Sequence, residues 1–122
     1  MHVKFEAFVR ITSRWHLTNS ERRALLGSPT DERWFQLMRG GSIPLSAEEF
    51  ERVQWVIAID GSLSECLKSP TDAAQWFRTL SGAAPFSGRT PLALLFRGTE
   101  GFRQLAEYLE ARRPHAESPA QG

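Results

Sequence analysis

Ser46-Ala47-Glu48-Glu49-Phe50-Glu51-Arg52-Val53-Gln54-Trp55-Val56-Ile57-Ala58-Ile59-Asp60-Gly61-Ser62-Leu63 is the stretch whose reading decides the fold. Its first four residues form a Ser-x-x-Glu capping box, in which a hydroxyl and a carboxylate each satisfy an orphan amide at a helix start. Phe50, Val53, Val56, Ile57 and Ile59 then leave little polar surface, as in a central buried helix. Gly61 interrupts the pattern. A glycine inside a helix costs about 1 kcal/mol relative to alanine, so the sequence predicts that the helix stops near Asp60 or kinks before Leu63 and Leu67. The acids Glu48, Glu49 and Glu51 read as first-turn partners of the helix dipole rather than as paired catalytic carboxylates.

Upstream, Phe5, Phe8, Val9, Thr12 and Trp15 recur at helical spacing and leave Arg10 and Arg14 outside. Leu17 leads into a second capping box, Thr18-Asn19-Ser20-Glu21, and Gly27 supplies a left-handed stop. Ser28-Pro29-Thr30-Asp31 opens a third helix that carries Trp34, Phe35, Leu37 and Met38 and ends at Gly40-Gly41; Trp34 and Phe35 read as core. Downstream, Ser69-Pro70 and Thr90-Pro91 each place a hydroxyl at the cap and proline at the first helical position. The first starts a short helix through Trp76 and Phe77, and the second opens Leu92 to Phe96, which Gly98 terminates. Phe102, Leu105, Ala106 and Leu109 stripe a last helix that frays by Pro114, followed by a tail expected to be flexible in isolation.

No segment alternates apolar and polar residues over a useful length, and no hairpin signal separates two runs. The expectation is an all-α compact bundle of about six or seven helices. It divides into a helix-turn-helix-like region over 1–68, a C-terminal part over 69–113 and a tail over 114–122, with weak seams rather than true linkers at Gly40 to Leu45 and Gly61 to Pro70.

The 122 residues, 41% hydrophobic and 11% aromatic, suit a globular core that needs neither disulfides nor a structural metal. Cys66 is the single thiol and reads as a small apolar filler rather than a nucleophile. With no signal-like apolar run behind Met-His-Val-Lys, a reducing cytoplasm is expected. No apolar stretch approaches the roughly 20 residues that span a bilayer, so no membrane partner is expected. His2, His16 and His115 share no ligand spacing with Cys66, so neither a metal nor a cofactor is implied, and no nucleophile elbow or catalytic triad is present.

Net charge is +1, split as +3 up to Leu45 and −2 beyond it, well short of the basic profile of an obligate nucleic-acid binder. Thirteen of the 15 basic residues are arginines, which favour planar contacts with carboxylates, phosphates and aromatic faces. Phe86-Ser87-Gly88-Arg89-Thr90-Pro91 admits two readings, an anion-binding turn or a capped helix start. The helix pair from Thr18 to Arg39 has helix-turn-helix spacing, which makes Arg33, Gln36 and Arg39 the candidate DNA-reading residues. Asp31 and Glu32 oppose phosphates at its leading edge.

Ser69-Pro70, Ala74, Trp76-Phe77-Arg78, Phe86, Gly88-Arg89-Thr90-Pro91-Leu92, Leu95 and Gly98, followed by an amphipathic last helix, resemble the toxin-binding domain of Xre/MbcA/ParS-type antitoxins. Trp15-His16-Leu17-Thr18, Leu25-Leu26-Gly27, Trp34 and the Leu45 to Leu63 segment resemble the helical N-terminal part of that family. The resemblance implies a non-enzymatic type II antitoxin that obstructs the active site of a RES-domain toxin consuming NAD. It also implies operator DNA as a conditional partner for autoregulation, and it allows a homodimer. On that basis the toxin-binding candidates are Phe86, Gly88, Arg89, Thr90, Pro91, Leu92 and Phe96, joined by Tyr108, Arg112 and Arg113 on the last helix. Exposed parts of Phe86, Leu92 and Phe96 would be the apolar anchors. The rival readings are a helix-turn-helix transcriptional regulator without a toxin partner, and a small enzyme with an anion site at Arg89 but no second converging group.

Overall fold

The computed structural model describes residues 5–39, 44–67, 70–82 and 86–112. Among them are seven helices and no strand: α1 Phe5–Arg14, α2 Asn19–Leu25, α3 Asp31–Met38, α4 Ala47–Cys66, α5 Pro70–Phe77, α6 Pro91–Leu95 and α7 Thr99–Arg112. The all-helical bundle is as the sequence predicts. The starts of α2, α3, α4 and α6 follow local chemistry. Thr18 and Ser46 each accept a hydrogen bond from the amide three residues on, while Glu21 and Glu49 accept one back from the cap amide. Thr30 and Thr90 cap α3 and α6 in the same way with the hydroxyl alone. Ser69 and the Gly40-Gly41 stop lie outside the described residues, as does the tail from Pro114.

α4 is the axis of the bundle, with Val53, Val56 and Ile59 fully buried in it. α1 and α7 flank it, and both run in its direction. Arg33 fastens α3 to Glu49 at the start of α4, and Phe5 of α1 meets Trp34 of α3 edge-on at 5.9 Å. At the other end, Arg14 pairs with Asp60 at 2.7 Å. On the opposite flank, Arg52 Nη2 comes within 4.0 Å of where a Gly98 side chain would start, and the Cys66 thiol donates to the Leu109 carbonyl at 3.8 Å. α5 closes the end of α1, with Phe77 against Trp15 at 4.5 Å between ring centres. One cluster of buried apolar side chains runs through all of this, from Phe8 to Leu109.

Two readings fall. Of the two alternatives at Gly61, the stop near Asp60 is overturned, since α4 passes through Gly61 to Cys66. Gly61 is exposed with nothing near its missing side chain, so its cost is only conformational, and buried Ser62 and Leu63 hold the turn beyond it. Phe35 is not core: it is 63% exposed, while its neighbour Trp34 is half-buried. Successive helical residues differ by about 100° in direction, and Leu37 with Trp34 sets the inward face of α3.

α6 and α7 meet at unusual proximity. A Cβ on Gly101 would stand 1.9 Å from the Leu94 carbonyl oxygen, so only glycine permits this approach.

Candidate functional site

Arg89 owes its position to backbone. The Arg89 amide donates to the Phe86 carbonyl at 3.0 Å, with Ser87 and Gly88 both at positive φ (54° and 83°) as in a type I′ turn. Ser81 closes the turn from outside: its amide donates to the Arg89 carbonyl at 3.0 Å and its carbonyl accepts from the Gly88 amide at 2.7 Å. The next residue, Thr90, caps α6 by accepting from the Ala93 amide at 3.1 Å, and Pro91 fills the first helical position. The Arg89 backbone is therefore fixed on both sides. Its side chain is exposed and pairs with no carboxylate among the described residues.

Beneath the turn lies an aromatic stack. Phe86, 3% exposed, meets Trp76 edge-on at 6.1 Å and Tyr108 edge-on at 4.8 Å. The Arg112 guanidinium lies 3.8 Å above the Tyr108 ring, close enough for a cation–π contact. Phe86, Pro91 and Leu92 are buried and brace the surface from below, which corrects the expectation that Phe86 and Leu92 expose apolar anchors. Their burial has a simple cause, since α6 packs onto both α7 and α5 while Phe86 meets Trp76 and Tyr108 of the same two helices. Phe96, which follows α6, is 46% exposed, and Leu80, beside the closing Ser81, is 71% exposed. Trp76 is half-buried and Leu95 is buried, in line with core packing. Arg113 lies outside the described residues.

The structure separates the three DNA-reading candidates. Arg33 Nε and Nη2 hold both oxygens of Glu49, at 2.9 and 2.5 Å, and Nη2 also donates to the Pro44 carbonyl at 2.9 Å. That guanidinium is part of the fold. Gln36 and Arg39 are exposed, with Arg39 lying 5.6 Å from the centre of its own Phe35 ring. Asp31, at the leading edge, is paired with Arg23 at 2.6 Å.

The pairings that sequence reading misses are long-range. Glu21 and Glu49 each do two jobs, closing a capping box and receiving a two-pronged arginine, Arg78 for Glu21 and Arg33 for Glu49. Hydrogen bonds from Arg78 hold the Glu21 carboxyl below its ordinary range despite partial desolvation, and those from Arg33 do the same for Glu49. Arg22 is spent likewise on the Thr12 and Ser13 hydroxyls of α1 and on Asn19. The one available signal was the capping glutamate itself. Its arginine partner sits too far along the chain to be read from spacing.

Among the described residues no group of three or more His, Cys, Asp or Glu could hold a metal ion. No helix there is long and apolar enough to cross a membrane. The Cys66 thiol is half-buried.

Fold and surface together define a small all-helical protein in which Arg14, Arg22, Arg23, Arg33, Arg52 and Arg78 brace the bundle and an arginine-bearing turn is displayed at the surface. No family model matches the chain. It is 30% identical over 112 residues to the uncharacterized protein y4oB of Sinorhizobium fredii, an alignment covering 90% of this chain and 84% of that one, and it belongs to the same family as that protein.

Proposed function

We propose that the chain is an antitoxin of a type II toxin-antitoxin system, and that its C-terminal surface binds a RES-domain toxin and obstructs the active site with which the toxin consumes NAD. The observation that carries this reading is the Arg89 turn. The backbone that carries this exposed cation is fixed by a β-turn, an isolated bridge to Ser81 and a helix cap, so docking has only the Arg89 side chain left to order. That side chain suits a carboxylate or the anionic rim of a dinucleotide pocket. Phe96 adds an apolar contact, while Tyr108 and Arg112 extend the surface along α7. The likeness of Gly88-Arg89-Thr90-Pro91-Leu92 and its flanks to Xre/MbcA/ParS-type antitoxins supports the choice of partner. This reading puts the protein in the cytoplasm beside the NAD pool. Operator binding through α3 stays outside the proposal because Arg33 is committed to Glu49.

The test is co-expression with the RES-domain toxin encoded in the same operon, followed by co-purification and an assay of cellular NAD. The expected result is a stable complex and preserved NAD. Arg89→Glu is expected to weaken the complex at least tenfold at an unchanged melting temperature, as when a few residues dominate an interface. A chain that neither associates nor protects NAD ends the proposal, and normal binding by the variant removes Arg89 from it.

A further inference from the structure

Arg78 stands one residue past α5 and reaches back to the corner between α1 and α2. Its Nη1 and Nη2 donate to Glu21 Oε2 and Oε1 at 3.0 and 2.7 Å, and Nη2 donates also to the His16 carbonyl at 3.1 Å. Local structure places both acceptors. Glu21 Oε1 takes the Thr18 amide of its capping box at 2.9 Å, and His16 closes α1 at a φ of 61°, in the left-handed region that few residues other than glycine adopt. Beyond Arg78 the chain has little to hold it. Phe77 is fully buried, but Arg78, Thr79 and Leu80 are exposed, and Thr79 bonds back to Gln75 and Trp76 of α5. The next residue, Ser81, forms the isolated bridge to Arg89.

We infer that Arg78 is a positioning residue for the Arg89 turn: its clamp on Glu21 and His16 fixes the stretch that carries Ser81, and the corner between α1 and α2 thereby governs whether the turn stays closed. Packing secures the inner edge of the turn through buried Phe86, and the Thr90 cap secures its far side. The outer edge rests on two backbone bonds, from the Ser81 amide to Arg89 and from the Gly88 amide to Ser81, and both depend on where Ser81 lies. Three peptide units separate Ser81 from Arg78, at most about 10 Å of chain, so a fixed Arg78 confines Ser81 to the neighbourhood of the turn. A two-pronged, charge-assisted pair suits that task, because it sets orientation as well as distance. Exposed turns open at low cost, so loss of the clamp shifts the population measurably. The positioning does not depend on what the surface binds, whereas its consequence for a partner rests on the reading above.

Amide hydrogen exchange of the full chain, read residue by residue by NMR, tests it. Arg78→Ala is expected to speed exchange of the Ser81 and Gly88 amides at least tenfold. Glu21→Gln, which keeps the capping box and removes the charge, is expected to act in the same direction by about fivefold, and to add less than about twofold on top of Arg78→Ala, since both work through one contact. Arg78→Lys, a charge without the fork, is expected to stay within about threefold of wild type. Arg33→Ala, which breaks an ion pair elsewhere in the fold, leaves the same two amides within about twofold. Unchanged exchange at Ser81 and Gly88 in Arg78→Ala, with acceleration confined to α4 amides such as Val56, overturns the inference and returns Arg78 to the scaffold. Equal acceleration of the two amides by Arg33→Ala overturns it as well. In the co-purification described above, Arg78→Ala lowers affinity for the toxin by the closed fraction it removes. A variant whose turn has opened yet binds as tightly as wild type leaves the positioning standing and removes the ordered turn from the proposed function.

Discussion

Arg33 follows a threonine cap in α3 and Arg89 precedes one in α6, yet the first is locked inside the fold and the second stands in solvent. The difference lies in what faces them. Arg33 meets a glutamate already positioned by a capping box, whereas Arg89 tops a turn whose underside is aromatic. The contrast extends beyond these two residues. Arg14, Arg22, Arg23 and Arg33 each bond to a neighbouring element or loop, while in α7 Arg103 pairs only with Glu100 and Glu107 of its own helix. The N-terminal part is fastened by ion pairs, one of which reaches across to Arg78 just beyond α5. The C-terminal part is fastened by close packing and keeps Arg89 for the surface.

The sharpest challenge to this contrast is Gly101→Ala. The added Cβ collides with the Leu94 carbonyl, so α6 and α7 must separate, at a cost of about 3 kcal/mol or more, and the melting temperature should fall by roughly 12 °C. Retention of the wild-type melting temperature would show that this end is not close-packed at all. Next comes Arg33→Ala, which strands a largely buried Glu49 carboxylate. The side chains keep some solvent contact, which lowers the expected loss to about 2–3 kcal/mol by urea denaturation. A loss equal to that of Arg89→Ala, expected within about 0.5 kcal/mol, would erase the distinction between the two arginines.

How far such partners can be read in advance depends on the range of the forces. The caps at Thr18, Thr30, Ser46 and Thr90 act within three residues, and the turn at Gly27 is equally local, so their spacing announces them. The arginine pairings join residues 16 and 57 positions apart, which no local pattern encodes. The candidate surface was legible in the same measure. The Phe86 to Arg89 turn and the Thr90 cap that follows it are local in origin, whereas the burial of Phe86 and Leu92 depends on α7 arriving from downstream. Phe35 misled for another reason. Periodicity marks an apolar stripe as inward, and the α3 stripe with Phe35 and Met38 points outward.

A smaller effect distinguishes the ion-paired end by its response to acid. Arg78 and Arg33 keep Glu21 and Glu49 ionised in the folded chain at pH values where the unfolded chain takes up protons. Their contribution is therefore complete above about pH 4.5 and drains away as pH falls below the ordinary carboxylate range. Urea unfolding at pH 7 and at about pH 3.5 should show this loss, and Glu49→Gln should flatten it. An identical acid slope in the variant would mean that Glu49 is not held ionised by the fold.

Smallest of all is the expected stability change for Arg89→Ala, and a large one would reassign that arginine to the scaffold.

The common direction of α1, α4 and α7 has an electrostatic corollary. Peptide dipoles that point the same way reinforce one another, so the bundle acquires a positive pole where these helices begin and a negative pole where they end. Glu6, Glu48, Glu49 and Glu100 sit at the beginnings, and Arg14 and Arg112 at the ends of two of them. Charges so placed oppose the helix dipoles, and together they quench a polarity that the backbone alone would project into solvent.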